Sequence, residues 1–143
     1  MHKKICGCMI ATMLLGGLLT GCGNDDDYLS QDKAAQMIEQ DKSVLVLDVR
    51  TAEEYEAGHI PEATLLPIDD LRAGKTECLP DDKGRTVLVY CWTGRRAEDA
   101  VAILKKLGYR KVYNFGGIVD WEGPLTGSKK SPQEVKEMRT GSQ

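Results

Sequence analysis

Two short runs of β-forming residues constrain this chain more than any other feature. Val44-Leu45-Val46-Leu47-Asp48-Val49 and Thr86-Val87-Leu88-Val89-Tyr90 are apolar at nearly every position rather than at alternate ones. A strand with one wet face alternates apolar and polar residues, whereas a strand covered on both faces does not, and parallel sheets flanked by helices hold strands of the second kind. Segments of helical period separate and follow these runs, so the expectation is an α/β domain with a mainly parallel central sheet.

The remaining elements fit that alternation. Ser30 can cap a short helix whose Ala34, Met37 and Ile38 share a face. Thr51-Ala52-Glu53-Glu54 has the form of a capping box, opening a helix that Gly58 ends. Ala63 to Leu66 reads as a second short strand, and the polar stretch from Asp69 to Gly84 as a loop with one helical turn around Leu71. After Arg95 a helix places Ala97, Val101 and Leu104, with Ala100 and Leu107, on an apolar stripe that Gly108 terminates. Lys111 to Phe115 forms a further strand, followed by Gly116-Gly117 and a short helix containing Trp121.

At 143 residues, 41% hydrophobic and 29% charged, the chain has room for one core. A formal charge of -3 with 6% aromatic residues gives no basic-aromatic surface, which excludes nucleic acid as a default partner. The cysteines are Cys6, Cys8, Cys22, Cys78 and Cys91, with no CxxC pair and no histidine cluster, so no metal site is expected.

The first residues read as an address. Lys3 and Lys4 precede an apolar run from Ile5 to Leu19, too short to span a bilayer comfortably and placed like a secretory h-region. Leu19-Thr20-Gly21-Cys22 resembles the lipobox of bacterial lipoprotein signal peptides. That resemblance implies a signal peptide over residues 1–21, lipidation of Cys22, and a protein held to the extracytoplasmic side of a membrane in the cell envelope. Residues 22–28 then form an acidic, hydrated tether containing Asp25-Asp26-Asp27, residues 29–127 the folded domain, and residues 128–143 a polar tail. The mature chain keeps 17 basic against 22 acidic side chains, so adsorption to anionic lipid is not expected to be the anchor.

Chemistry concentrates in Cys91-Trp92-Thr93-Gly94-Arg95-Arg96, where the second strong strand gives way to a helix. In an open α/β sheet, ligands bind outside the carboxyl ends of the strands. The helix start offers free N–H groups and the positive end of its dipole, and Arg95 and Arg96 add full charges, so an anion is favoured there. The same terms favour a thiolate at Cys91, and Gly94 lets the backbone curl so that several N–H groups converge on the sulfur.

Several separated pieces resemble the rhodanese superfamily in its small single-domain form. They are Asp48-Val49-Arg50 with Glu54-Tyr55, then Gly58-His59-Ile60-Pro61 and Ala63, the Cys91 to Arg96 loop, and Gly116-Gly117 with Trp121. The match runs over roughly residues 29 to 125, with Glu62 standing where a glycine is frequent. It implies a rhodanese fold and transfer of sulfane sulfur, without cofactor, from a small anionic donor such as thiosulfate to cyanide or a thiol. Cys91 would be the nucleophile that carries a persulfide, and Trp92, Thr93, Gly94, Arg95 and Arg96 the substrate cradle. The six-residue loop is similar to that of sulfurtransferases, the related dual-specificity phosphatases having one residue more.

Other residues take supporting readings. Asp48 and Arg50 are expected to pair with charges and fix loops at the carboxyl edge of the sheet, and the resemblance implies that His59 belongs to a structural turn. Two rivals stand beside catalysis: a carrier that holds sulfur on Cys91 for a partner protein, and an envelope thiol-redox protein using Cys78 with Cys91.

Overall fold

The computed structural model describes residues 25–127, so the leader, Cys22 and the polar tail lie outside the described residues. Four strands, β1 (Leu45–Asp48), β2 (Thr64–Leu65), β3 (Thr86–Cys91) and β4 (Lys111–Gly117), make one sheet in the order β2-β1-β3-β4. Every pairing is parallel. The helices are α1 (Gln31–Gln40), α2 (Ala52–Ala57), α3 (Ile68–Arg72) and α4 (Arg95–Lys106). Among the described residues no helix is long and apolar enough to cross a membrane.

The continuous apolar character of the strands has the expected cause. Leu45, Leu47, Val87 and Val89 face one core with Leu71, Ala97, Ala100, Val101 and Leu104 from α3 and α4. Val46, Leu88 and Tyr90 face the other, with Ala34, Ile60, Phe115 and Trp121. Residues of opposite parity thus serve two cores, and each fully buried aliphatic side chain contributes about 1.5–3 kcal/mol of transfer free energy.

The caps form as the sequence indicates. The Ser30 side chain accepts from Lys33 N–H, and Thr51 and Glu54 close both halves of a capping box on α2. Five details differ. The strand expected over 63–66 pairs only at Thr64 and Leu65. β3 continues through Cys91 and β4 through Gly117, so the twin glycines belong to the sheet. Leu107 falls off the buried stripe and is 43% exposed, because α4 ends at Lys106 and the chain turns at Gly108 with φ of 95°. Trp121 is not inside a helix but follows a three-residue 3-10 turn, Ile118–Asp120. Asp25–Asp27 is not a free tether within the described residues: it forms a 3-10 turn, and Asp27 pairs with Lys105 of α4.

The family-atypical Glu62 adopts φ of 65°, the one non-glycine residue in the left-handed region among those described. A side chain there costs about 1–2 kcal/mol, part of which glycine returns through a freer unfolded chain. Glu62→Gly should therefore raise stability by about 0.5 kcal/mol, read as a higher urea midpoint at unchanged slope; a lower midpoint would contradict the account.

Candidate active site

Cys91 is the last residue of β3, facing Gly117 of β4 after a register irregularity between Val89 and Cys91. Beyond it Trp92, Thr93 and Gly94 leave the sheet, and Gly94 becomes the N-cap of α4 at φ 100°. Its N–H donates to Cys91 Sγ at 3.0 Å. The sulfur thus accepts a backbone hydrogen bond at the positive end of a 12-residue helix, and the residue is 1% exposed.

The end of β4 holds this loop in shape. A Cβ on Gly117 would lie 2.2 Å from the Trp92 carbonyl oxygen, and one on Gly94 3.3 Å from Gly116 Cα, so no larger residue fits at Gly117 without moving the loop. Asn114 binds both partners: its Nδ2 donates to the Gly94 carbonyl at 3.0 Å and its Oδ1 accepts from Gly116 N–H at 2.8 Å. Gln31 of α1 donates to the Gly117 carbonyl at 2.8 Å.

The two loop arginines part company. Arg96 forks onto Glu54 of α2 with two contacts of 2.8 Å. Hydrogen bonds to Glu54 raise its guanidinium further above its ordinary value against the cost of burial, and the Cys91 sulfur adds to the rise. Arg95 is exposed and forms no ion pair among the described residues. Thr93 is exposed as well, while Trp92 is half-buried against the core that contains Trp121.

Glu54 therefore does two jobs, receiving the Thr51 N–H at 2.9 Å and orienting Arg96. Burial would raise its carboxyl pKa, but Arg96 and the Thr51 N–H outweigh that and hold it below its ordinary range. The sequence marks Glu54 through its capping box and its place in the family resemblance, but nothing in a 42-residue separation announces its contact with Arg96. Asn114 and Gln31 carry no motif that would have singled them out.

Asp48 and Arg50 pair with each other. Arg50 Nη2 lies 2.7 Å from Asp48 Oδ2 with both side chains fully buried, and the same nitrogen donates to the Gly58 carbonyl at 2.8 Å. Asp48 outweighs the effect of burial to raise the Arg50 pKa. The Tyr90 phenol, pushed far up by burial and then by Asp48, accepts from Ile60 N–H at 3.1 Å. His59 stacks on Tyr55 at 3.6 Å, with Nδ1 2.8 Å from the Tyr55 carbonyl, and bridges Thr126 through its backbone. These residues tie the Gly58–Ile60 turn to the sheet edge.

Cys78 is an exposed free thiol between α3 and β3. Two residues on, Pro80 accepts a hydrogen bond from the Tyr109 hydroxyl, beside the end where β4 begins. Cys91 instead ends β3, about 17 Å along that strand from Thr86 at about 3.3 Å per residue, at the opposite end of the strands. A cleft of about 410 Å³ opens beside α1, but Asp32, Asp120 and Glu122 line it, which repels an anionic substrate.

The chain matches the rhodanese-like domain family over residues 30–124. It belongs to that family. This rhodanese-like domain is 35% identical over 96 residues to a Bacillus subtilis protein named "Putative sulfur carrier protein YrkF", covering 66% of this chain and 50% of that one. It is 35% identical over 112 residues to the tRNA uridine(34) hydroxylase of Yersinia pestis, covering 69% of this chain and 31% of the relative. The chain thus spans half or less of these relatives' length. The solution structure of the rhodanese-like domain of the Anabaena Alr3790 protein superposes with a TM-score of 0.65 at 27% identity, covering 74% of this chain and 84% of that one.

The Glu54 carboxyl has a pH consequence. Its folded pKa lies below the model-compound value of 4.5, so the stability it contributes is complete above that value and is lost as pH falls through the lower, folded one. In Glu54→Gln the acid limb of a stability-versus-pH curve should flatten below pH 4.5. A limb of unchanged slope would mean that the Arg96 contact contributes nothing to folding.

Proposed function

We propose that this rhodanese-like domain is a sulfurtransferase working through a persulfide on Cys91, held to the extracytoplasmic face of a bacterial membrane by lipid on Cys22. The observation that carries the chemistry is the Gly94 N–H to Cys91 Sγ contact of 3.0 Å at the start of α4. A sulfur already served by a backbone donor, with the Arg96 guanidinium alongside, has partners for the negative charge of a persulfide.

Two half-reactions follow. The Cys91 thiolate attacks the outer sulfur of thiosulfate, the S–S bond of the donor breaks, and sulfite leaves with the bonding pair. The acceptor, cyanide or a thiolate, then attacks the terminal persulfide sulfur, and the electron pair returns to Cys91. Arg96 stays on Glu54 as a fixed positive charge, while Arg95, exposed and without an ion-pair partner among the described residues, is placed to meet the donor's sulfonate end.

Delivery to a dedicated acceptor protein is the second reading. The 1% exposure of Cys91 favours it, because a recessed persulfide is shielded from casual thiols, and a relative is named as a sulfur carrier. The thiol-redox reading loses support from geometry: Cys78 lies toward the amino ends of the strands and Cys91 at the carboxyl end of β3, and a disulfide needs Cα atoms within about 7 Å. Partial burial also pushes the Cys78 thiol up, which makes it a poorer attacking group.

Incubation of the protein with thiosulfate should add one sulfur to Cys91 by mass spectrometry, and cyanide should release it as thiocyanate with ping-pong kinetics. Arg96→Ala should lower kcat/KM at least about tenfold, and Cys91→Ser should form no adduct. Adduct without turnover would assign the carrier role instead, and the absence of any adduct would sink both sulfur readings.

A further inference from the structure

The pole of the domain opposite Cys91 carries a basic cluster that the sulfur chemistry does not use. Parallel pairing sorts strand ends, so the amino ends of β3 and β4 lie together, with the carboxyl end of α4 beside them. Lys83 and Arg85 precede β3, Lys105 and Lys106 end α4, Arg110 precedes β4 and Lys111 opens it. The backbone N–H of Arg110 donates to the Lys83 carbonyl, and the Lys83 ammonium lies 3.7 Å from the Tyr109 ring centroid, which binds these segments into one surface. Lys106, Arg110 and Lys111 are exposed, and Leu107, one of two large exposed apolar residues among those described, stands among them. Residues 25–127 carry 13 basic against 20 acidic side chains, and six of those 13 gather where the amino ends of β3 and β4 meet the end of α4. Asp26, Asp27, Asp41, Asp81 and Asp82 lie among or beside them; Asp27 is paired with Lys105, Asp41 accepts from Ser43 N–H beside Arg85, and Asp82 accepts from Gly84 N–H, so the exposed cations in no ion pair with these carboxylates among the described residues are Lys106, Arg110 and Lys111.

The direction in which the chain enters is the independent observation. Tyr28 bridges Asn114 in parallel, and Leu29 N–H donates to the Asn114 carbonyl. In a parallel pair, residues before Tyr28 run alongside residues before Asn114, toward Lys111. The 3-10 turn Asp25–Asp27 accordingly meets α4 at Lys105. Cys22 is three residues before Asp25, within about 11 Å of it at full extension.

We infer that the Lys106–Lys111 pole lies against anionic phospholipid of the membrane that holds the lipidated chain, with Leu107 reaching the headgroup layer and the Cys91 loop facing away. The inference rests on the membrane attachment proposed above. An exposed leucine between lysines and an arginine suits such a surface, since the apolar side chain enters while the cations stay at headgroup level. Short tethering supplies high local concentration, so the patch need orient the domain rather than recruit it.

The full-length lipidated chain, reconstituted in vesicles of phosphatidylcholine alone or with phosphatidylglycerol, tests this by amine acetylation read by mass spectrometry. Lys106 and Lys111 should be acetylated at least about threefold more slowly on the anionic vesicles, with the protection lost in high salt, while Lys33 and Lys75 react alike on both. Reversing Arg110 and Lys111 to Glu should abolish the protection of Lys106, at about fivefold per charge in the oriented population, without changing thiosulfate turnover in detergent. Equal acetylation on the two vesicles, with the protein still pelleting on both, would overturn the orientation alone. Failure to pellet with neutral vesicles would overturn the lipid anchor and the orientation with it. Protection elicited equally by an acidic polypeptide or nucleic acid, and not by anionic vesicles, would assign the patch to that partner instead.

Discussion

The backbone of β4 and the backbone of the reactive loop pass so close that only glycine fits between them, and the geometry of the site depends on that approach. The Trp92 carbonyl lies where a Gly117 side chain would begin, and Gly94 rests on Gly116. With the loop pressed against the strand, Gly94 takes its left-handed turn, its N–H reaches the Cys91 sulfur, and α4 starts directly behind. Asn114 secures the arrangement from the strand side by bonding one residue of each glycine region. The thiol's surroundings are thus set by contacts between main-chain atoms, which tolerate variation in the loop side chains.

That division explains which parts were legible in the sequence. The two-faced strands were plain in residues 44–49 and 86–90 because burial on both sides leaves no polar alternation to confuse with anything else. The capping box at Thr51 and the N-cap at Ser30 were plain because they are local. The Cys91 loop was legible through its place between strand and helix and through its family resemblance. The glycine pair at 116–117 was visible as a signature, but its membership in β4 was not, because it depends on pairing with Cys91, 26 residues earlier in sequence. Glu54 on Arg96 and Asn114 on Gly94 were hidden for the same reason. Leu107 misled because the apolar period continues past Lys106, where α4 ends and the chain turns at Gly108.

Charge is used in three distinct ways. Asp48 and Arg50 form a sealed pair whose removal from water is tolerable because each side chain has the other, and their product is rigidity at the sheet edge. Glu54 and Arg96 form a half-exposed pair beside the sulfur, which gives a fixed cation without letting it collapse onto the thiol. Arg95 has no such partner among the described residues and can move with what it binds. Two adjacent arginines with the same formal charge therefore differ in entropy: one is ordered in advance, the other is ordered by its ligand.

The sheet has two edges, and each is blunted differently. β2 is two residues long and offers almost nothing to pair with. β4 is seven residues long, and the segment before α1 covers part of its outer side through the Tyr28 bridge and the Leu29 N–H. Residues 28 and 29 precede the family match, which begins at residue 30. A fragment trimmed to the family boundary would keep the whole loop from Cys91 to Arg96 and still lose its guard against edge-to-edge association, so its solubility would report on the cut rather than on the domain.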